Sequence, residues 1–427
     1  MTTADRLAKY AELIAAKRRR HDWAGFQPED PHPCLFDFQV TASAWALRKG
    51  RAAIFAGTGL GKTMMFGEYV RQIKGKRLVV APLAVSFQIQ QEFRRLGIES
   101  TILDKYRQPE SDGVYIINYD RVEPLNVEWD AVVLDESSII KNYNGATYAL
   151  LLQEFGRTNM RLACTATPAP NDYMELGTHA EFLGVMTRQE MLATYFTHDG
   201  GNTSKWRLKR HARKDFWAWV SSWGLMFSHP RQLGSTAEGY DLPPLNVHEH
   251  YMQSEPIDGG LFASFDGSAT GLYRALSATT QDRAEKAHEL ASVRPFLFWC
   301  NTNAEQDAIE RLIPGVASVR GDTDRDMKAK LMVGFANGDY PALVTKPKIA
   351  GFGMNWQRCA NMAFVGTTFS FEQTYQAIRR CYRFGQKSPV TVHLICDEAM
   401  AVTIDALKRK DDDHNAMIEE AIKYAEL

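Results

Sequence analysis

AAIFAGTGLGKTMMFGEYVRQ, residues 52–72, decides the fold. Five apolar residues, Ala52 to Ala56, form a short run between Arg51 and Gly57, which reads as a buried strand. The stretch from Met64 to Gln72 reads as a helix. Between them, AGTGLGKT (56–63) matches G-x-x-x-x-G-K-[ST] except at its first position, where Ala56 stands and Gly57 follows one place later. A strand, a glycine-rich loop and a helix in that order form a cradle for phosphate. Gly57, Gly59 and Gly61 let the backbone curve so that N–H groups face an anion without a Cβ in the way. Thr58 lies in the same loop, Lys62 supplies a cation for the β- and γ-phosphates, and Thr63 supplies a hydroxyl for Mg²⁺. The helix N-terminus adds partial positive charge. The expected cofactors are therefore ATP and Mg²⁺.

Downstream, AVVLDESS (131–138) delivers Asp135 and Glu136 at the end of an apolar run. In open α/β sheets the C-terminal strand ends face the ligand. Asp135 is expected to hold Mg²⁺, and Glu136 to orient and deprotonate the attacking water. Further short runs rich in Val, Ile and Ala are RLVVAP (77–82), VYIIN (114–118) and RLACTA (161–166). A second set is PFLFWC (295–300), ASVRG (317–321), ALVT (342–345), MAFVG (362–366) and VTVHLI (390–395). They lack clean alternation, as strands covered on both faces do. The expected fold class is α/β: two doubly wound parallel-sheet lobes with a helical insertion and an ATP cleft between them. Residues 1–35 read as an N-terminal extension. Residues 36–240 read as the first lobe, with an aromatic, helical insertion at about 175–240. Residues 241–427 read as a linker, the second lobe and C-terminal helices packed on it. Phe216, Trp217, Trp219, Trp223 and Phe227 in the insertion read as core, and GYDLPPLN (239–246) as the crossing between lobes.

Bulk properties agree with an ordinary globular chain. It has 427 residues, 45% of them hydrophobic, and a formal net charge of −1. Any nucleic-acid footprint must therefore be local, and two basic runs offer one: KRRRH (17–21) and KWRLKRHARK (205–214). Either also reads as a solvated helix face. No run of eighteen apolar residues marks a membrane span, and MTTADRLAKYAEL lacks the apolar segment of a secretory signal. The six cysteines are scattered and form no CxxC pair, so a zinc site is not expected. A reducing, cytoplasmic setting fits these features.

With the phosphate loop and DESS in view, the sequence resembles the superfamily-two helicases, and within them the Swi/Snf-type translocases on double-stranded DNA. The resemblance runs from about residue 36 to residue 395. LFDFQ (35–39) resembles the adenine-reading segment, which assigns Gln39 to the base. VVAPLAV (79–85), IINYD (116–120), DESSIIKN (135–142) and ACTATPAPN (163–171) resemble successive family motifs, the last with Thr165, Thr167 and Asn171 as polar members. In the second lobe, FLFWCN (296–301) and VRGDTDRDMKAKLMVGF (319–335), with Arg325, fit the family order. TKPKIAGFGMNW (345–356) departs from the STKAGGLGINL pattern at Pro347, Ile349 and Ala350, and keeps Gly351, Gly353 and Asn355. QAIRRCYRFGQ (376–386) is the most specific segment. Gln376, Arg380, Arg383, Gly385 and Gln386 match Q-A-x-x-R-a-H-R-x-G-Q, with Tyr382 where His is usual. Arg380 and Arg383, three apart, would share one face if helical.

The resemblance implies an ATP-dependent DNA helicase or translocase. Lobe one would contribute Gln39, Gly59, Gly61, Lys62, Thr63, Asp135 and Glu136. Lobe two would contribute Gly353, Gln376, Arg380 and Arg383, the arginines as fixed charges for the γ-phosphate. Duplex DNA is the favoured partner, single strands a second, and no membrane is implied. FWAWVSSW followed by GYDLPP resembles small phage-type members, which implies a bacterial or bacteriophage protein of DNA replication, recombination or repair. An RNA helicase of the same superfamily, the motor subunit of a restriction or anti-phage complex, and a non-catalytic ATP switch are the alternatives.

Overall fold

The computed structural model describes residues 24–103, 109–122, 127–199, 202–236, 238–253, 277–350, 354–368, 370–398 and 401–427. The basic run at 17–21 and Gly353 lie outside them. Contacts divide the chain into two units: Met1–Ala237 with Ala416–Leu427, and Glu238–Asn415. The chain end thus divides, with 416–427 belonging to the first unit, where the sequence suggested a tail packed wholly on the second.

The first unit is built on a seven-stranded, wholly parallel sheet. Its strands are β1 (Arg51–Ala56), β2 (Lys76–Ala81), β3 (Ser100–Ile102), β4 (Gly113–Asn118), β5 (Ala131–Asp135), β6 (Met160–Cys164) and, after a two-stranded insertion, β9 (Gly224–Phe227). Their spatial order is β3-β4-β2-β5-β6-β1-β9. Parallel strands need crossover connections, and the helices Asp37–Lys49, Lys62–Gln72, Ser86–Arg95 and Ala146–Phe155 accompany them. Ala53, Phe55, Leu78, Val80, Val132 and Leu134 join one core cluster with Tyr148, Leu151, Leu176, Trp217 and Trp223. Their sequence neighbours Ile54, Val79 and Val133 are equally buried, so helices cover both faces. Trp217, Trp219 and Trp223 are fully buried, as the core reading required. They belong to the helix Arg213–Trp223, and Trp219 and Trp223 meet edge-on at 5.4 Å. Met417 and Ala421 join the same core, and Ser221 Oγ donates to the Ala421 carbonyl at 2.6 Å.

The insertion carries an antiparallel hairpin, β7 (Phe196–Asp199) with β8 (Asn202–Leu208).

The second unit is a six-stranded parallel sheet of order β10-β15-β14-β11-β13-β12. The strands are β10 (Leu245–Met252), β11 (Phe296–Trp299), β12 (Ala317–Ser318), β13 (Ala342–Thr345), β14 (Asn361–Phe364) and β15 (Val390–Asp397). Alternate residues separate the two faces. Leu297, Trp299, Leu343, Met362, Phe364 and Val392 pack with Phe335, Trp356 and Ala377. Phe296, Phe298, Ala342, Val344 and Ala363 pack with Ala284, Ala287, Ala308 and Ile309 of the helices Thr280–Leu290 and Asn303–Leu312. An ion pair is sealed inside this unit. Arg283 Nη1 lies 2.7 Å from Glu305 Oε1, with both side chains fully buried. Glu305 also accepts from the Asn301 and Thr302 N–H groups at 2.6 and 3.1 Å, which fixes the start of the helix Asn303–Leu312. Among the described residues no helix is long and apolar enough to cross a membrane.

Candidate nucleotide site

The loop after β1 is shaped as a phosphate cradle. Gly59 and Gly61 take φ of 87° and 76°. Gly61 caps the helix Lys62–Gln72 in the left-handed region. A Cβ there would stand 2.4 Å from Gln39 Nε2, so glycine is required twice over, by conformation and by space. The Gly57 N–H bonds the Phe227 carbonyl at 2.9 Å, tying the loop to β9. Gln39 is buried against this loop: Nε2 donates to the Leu60 carbonyl at 3.0 Å, and Oε1 accepts from the Phe36 N–H at 3.1 Å. The amide is thus visible as a brace of the loop. Lys62 Nζ folds back onto the Ala56 carbonyl at 3.2 Å. The Thr58 hydroxyl is buried without a hydrogen-bond partner, and Thr63 is half-buried on the first helical turn.

The register brings the acidic pair to the same edge. Asp135 pairs with Cys164 of β6, and Cys164 pairs with Ile54 of β1. Asp135 and the strand leading into the loop are therefore two strand spacings apart, roughly 10 Å, enough to straddle a chain of phosphates. Burial first, and then the adjacent Glu136, raise the Asp135 carboxyl to about 7 against the downward pull of the Lys62 ammonium. Lys62, Asp135 and Glu136 therefore share one electrostatic site. Glu136 has φ of 51°, the one left-handed non-glycine residue among those described, and follows the last residue of β5. Such a conformation costs about 1 kcal/mol and aims the side chain away from the strand direction. Between these two loops, at the end of β6, Thr165 and Thr167 are fully buried, and the Thr167 N–H bonds Thr165 Oγ1 at 3.2 Å. Asn171 is turned away onto Glu175, at 2.8 Å.

Two supporting side chains were not anticipated. The Tyr119 hydroxyl donates to the Asp135 carbonyl at 2.7 Å. Fully buried His179 shares a 3.0 Å hydrogen bond with Ser137 Oγ and meets the Phe55 ring edge-on at 5.2 Å. Burial lowers its pKa to about 4, so it is neutral. No local sequence pattern marks His179, and Tyr119 lies in IINYD (116–120) without that segment assigning the tyrosine a role.

Among the described residues no three His, Cys, Asp or Glu side chains group to hold a metal. One buried carboxylate beside a phosphate loop fits instead an ion that arrives with its nucleotide, as Mg²⁺ does. The elevated pKa of Asp135 and the orphaned Thr58 hydroxyl fit a ligand that supplies both cation and acceptors.

In the second unit the helix Phe371–Ile378 stops before the arginines. Arg380 and Arg383 lie in turns, so helical spacing does not align them. They converge by another route: Nη1 of each donates to the Met354 carbonyl at 3.3 Å. The Trp356 N–H bonds the Arg380 carbonyl at 2.9 Å. Gln386 holds the turn by donating to the carbonyls of Gln357 and Cys381, at 2.9 and 3.2 Å. Gly385, at φ 87°, completes it against Gln357. Gln376 and Arg380 are buried, and Arg383 is half-buried. Arg379 faces the Tyr375 and Tyr382 rings, 5.1 Å from each, and is set apart from the other two. The segment with Arg325 forms the helix Arg325–Asn337, whose start Asp324 caps by accepting from the Asp326 and Met327 N–H groups.

Fold and site together define a chain of two RecA-like α/β lobes, with a phosphate loop and an acidic strand end in the first. No protein-family profile matches the chain. It is 26% identical over 181 residues to the bifunctional helicase and thymine dioxygenase JBP2 of Leishmania major. That match takes in 41% of this chain and spans only 15% of the relative's length. Among solved structures, the Sulfolobus solfataricus SWI2/SNF2 ATPase core in complex with dsDNA is similar with a TM-score of 0.45 at 17% identity. That alignment covers 94% of this chain and 99% of the other.

Proposed function

We propose that the protein is an ATP-driven motor that moves along DNA, duplex DNA being its preferred track. The observation that carries the reading is the electrostatic union of Lys62, Asp135 and Glu136 at one edge of the first sheet. A phosphate-binding cation, a buried carboxylate for Mg²⁺ and a second carboxylate for water are the groups that nucleoside triphosphate hydrolysis requires. In this reading Thr63 and Asp135 would hold Mg²⁺ with ATP, and the ion would supply charge to offset the phosphates. Glu136 orients the attacking water and takes its proton. Lys62 leaves the Ala56 carbonyl for the phosphates. Gln39, Gly57, Thr58, Gly59 and Gly61 hold the nucleotide. Arg380 and Arg383, fixed by the Met354 carbonyl, serve the developing γ-phosphate charge in the ATP-bound state, with Gln376 and Gly353 beside them in the motif order. Arg383, being the more exposed, is the better placed to move. The direction toward DNA comes from DESSIIKN and QAIRRCYRFGQ, the segments most like the Swi/Snf branch.

ATP hydrolysis measured without polymer, with single-stranded DNA, with duplex DNA and with RNA tests this reading. Strong stimulation by duplex DNA that weakens with salt is expected. Stimulation by RNA alone would move the protein to an RNA helicase, and hydrolysis indifferent to every polymer would refute the motor.

A further inference from the structure

We propose that residues 206–214, the end of the β7–β8 hairpin and the turn after it, form a surface that binds the phosphate backbone of nucleic acid apart from the ATP site. The proposal deepens the DNA-motor reading and rests on it. WRLKRHARK holds five Lys or Arg and one His in nine residues, without an acid, in a chain of net charge −1. Most of that charge is uncompensated. Arg213 reaches Glu420 at 3.8 Å, and Lys209 Nζ is held by the carbonyls of Ala193 and Thr194 at 3.0 and 3.1 Å. Among the described residues, Arg207, Arg210 and Lys214 are exposed and have no ion pair or side-chain hydrogen bond.

A second observation is where the cations stand. Arg213 and Lys214 occupy the first two positions of the helix Arg213–Trp223, the end whose dipole favours anions. Asp215 is the acid of this first turn, and the two cations stand ahead of it where the dipole alone would favour acids. The surface is also shaped. Thr197, Arg207, Leu208, Lys209, Arg210 and His211 line a concavity of about 290 Å³. The rings of His198 and Trp206 are 3.8 Å apart across the hairpin, and Thr197 pairs with Arg207. The guanidinium of Arg207 is therefore carried on a paired strand.

The chemistry favours a uniform polyanion over an acidic protein. Protein interfaces centre on exposed aromatic or aliphatic anchors. Here Ala212 is buried, and Trp206 and Leu208 are half-buried. What the surface offers is cations, which suit repeated phosphates and carry no sequence preference.

The test replaces Arg207, Arg210 and Lys214 together by Gln, sparing Lys209 and Arg213. Binding to a fluorescein-labelled mixed-sequence duplex is followed by anisotropy as salt is raised. Each lost phosphate contact should flatten the slope of log K against log salt by about 0.9, so by roughly two to three in all. Affinity at low salt should fall at least about tenfold, with the polymer-free ATPase unchanged. The variant Arg207→Lys, Arg210→Lys, Lys214→Arg should restore slope and affinity, which separates lost charge from lost folding. A Gln variant with the parental slope would overturn the surface while leaving the motor reading intact. A Gln variant that keeps duplex affinity but loses polyglutamate binding would overturn it in favour of an acidic peptide. A parent that binds no duplex at any salt would remove the DNA reading itself.

Discussion

At the residue scale, Ala56 stands where a glycine is usual because it is the last residue of β1 and takes no left-handed conformation. The strict demands fall later, on Gly59 and Gly61, whose φ values are positive, and on the narrow space beside Gln39. Gly61→Ala combines left-handed strain of about 1–2 kcal/mol with a clash. It should weaken nucleotide binding at least tenfold in a fluorescent-nucleotide titration while leaving the second unit's fold unchanged. Loss of the charge-assisted contacts of Lys62 removes about 1.5–3 kcal/mol, so Lys62→Ala should weaken ATP binding by roughly 10- to 150-fold. Glu136→Gln should bind ATP as the parent does and fail to turn it over. Equal hydrolysis by all three proteins would show these residues to be bystanders. On the proposed role of Arg383 at the γ-phosphate, Arg383→Ala should slow hydrolysis by about 10³-fold or more, the scale of arginine fingers, in a steady-state assay.

At the scale of elements, two buried arrangements make separate demands. Arg283→Met would leave Glu305 buried without its cation, a loss of about 3–5 kcal/mol in chemical denaturation; replacing both by apolar residues should recover much of it. Fully buried His179, and His414 packed against the Phe371 and Tyr375 rings, have pKa values lowered to about 4, chiefly by burial. The unfolded chain takes up protons below about pH 6.5 and the native chain does not, so stability falls as pH drops from 6.5 toward 4. The loss is about 2 kcal/mol for each histidine at pH 5. Melting temperature should decline over that window, and His414→Leu should flatten the decline. The ten strands expected from apolar runs are all present, because strands covered on both faces declare themselves by composition. β3, β9, β10 and the hairpin were not legible. β9 has four residues directly after a tryptophan-rich helix. β10, LNVHEHYM, is an edge strand whose mostly exposed face admits His and Glu. The site divides in the same way. The phosphate-loop pattern around Lys62 and the acidic strand end at Asp135 and Glu136 were legible in the first unit from type and spacing, as was the arginine-bearing segment 376–386 in the second. The left-handed Glu136, the Met354 carbonyl that gathers the arginines, and His179 and Tyr119 depend on tertiary contacts that no local pattern encodes.

At the scale of the whole molecule, the chain end supports the first unit's core through Met417, Ala421 and the bond from Ser221. Met417→Ala should cost about 2–5 kcal/mol. Hydrogen exchange should report that loss in the first sheet and not in the second, and a uniform loss would contradict the division of the chain end. The central claim is that hydrolysis drives movement along duplex DNA, and displacement of a third strand from a DNA triplex tests it most directly. The parent should release the third strand in the presence of ATP and Mg²⁺, and Glu136→Gln should not. DNA-stimulated hydrolysis by the parent with no release of the third strand would contradict the account and leave an ATPase that senses DNA without travelling along it.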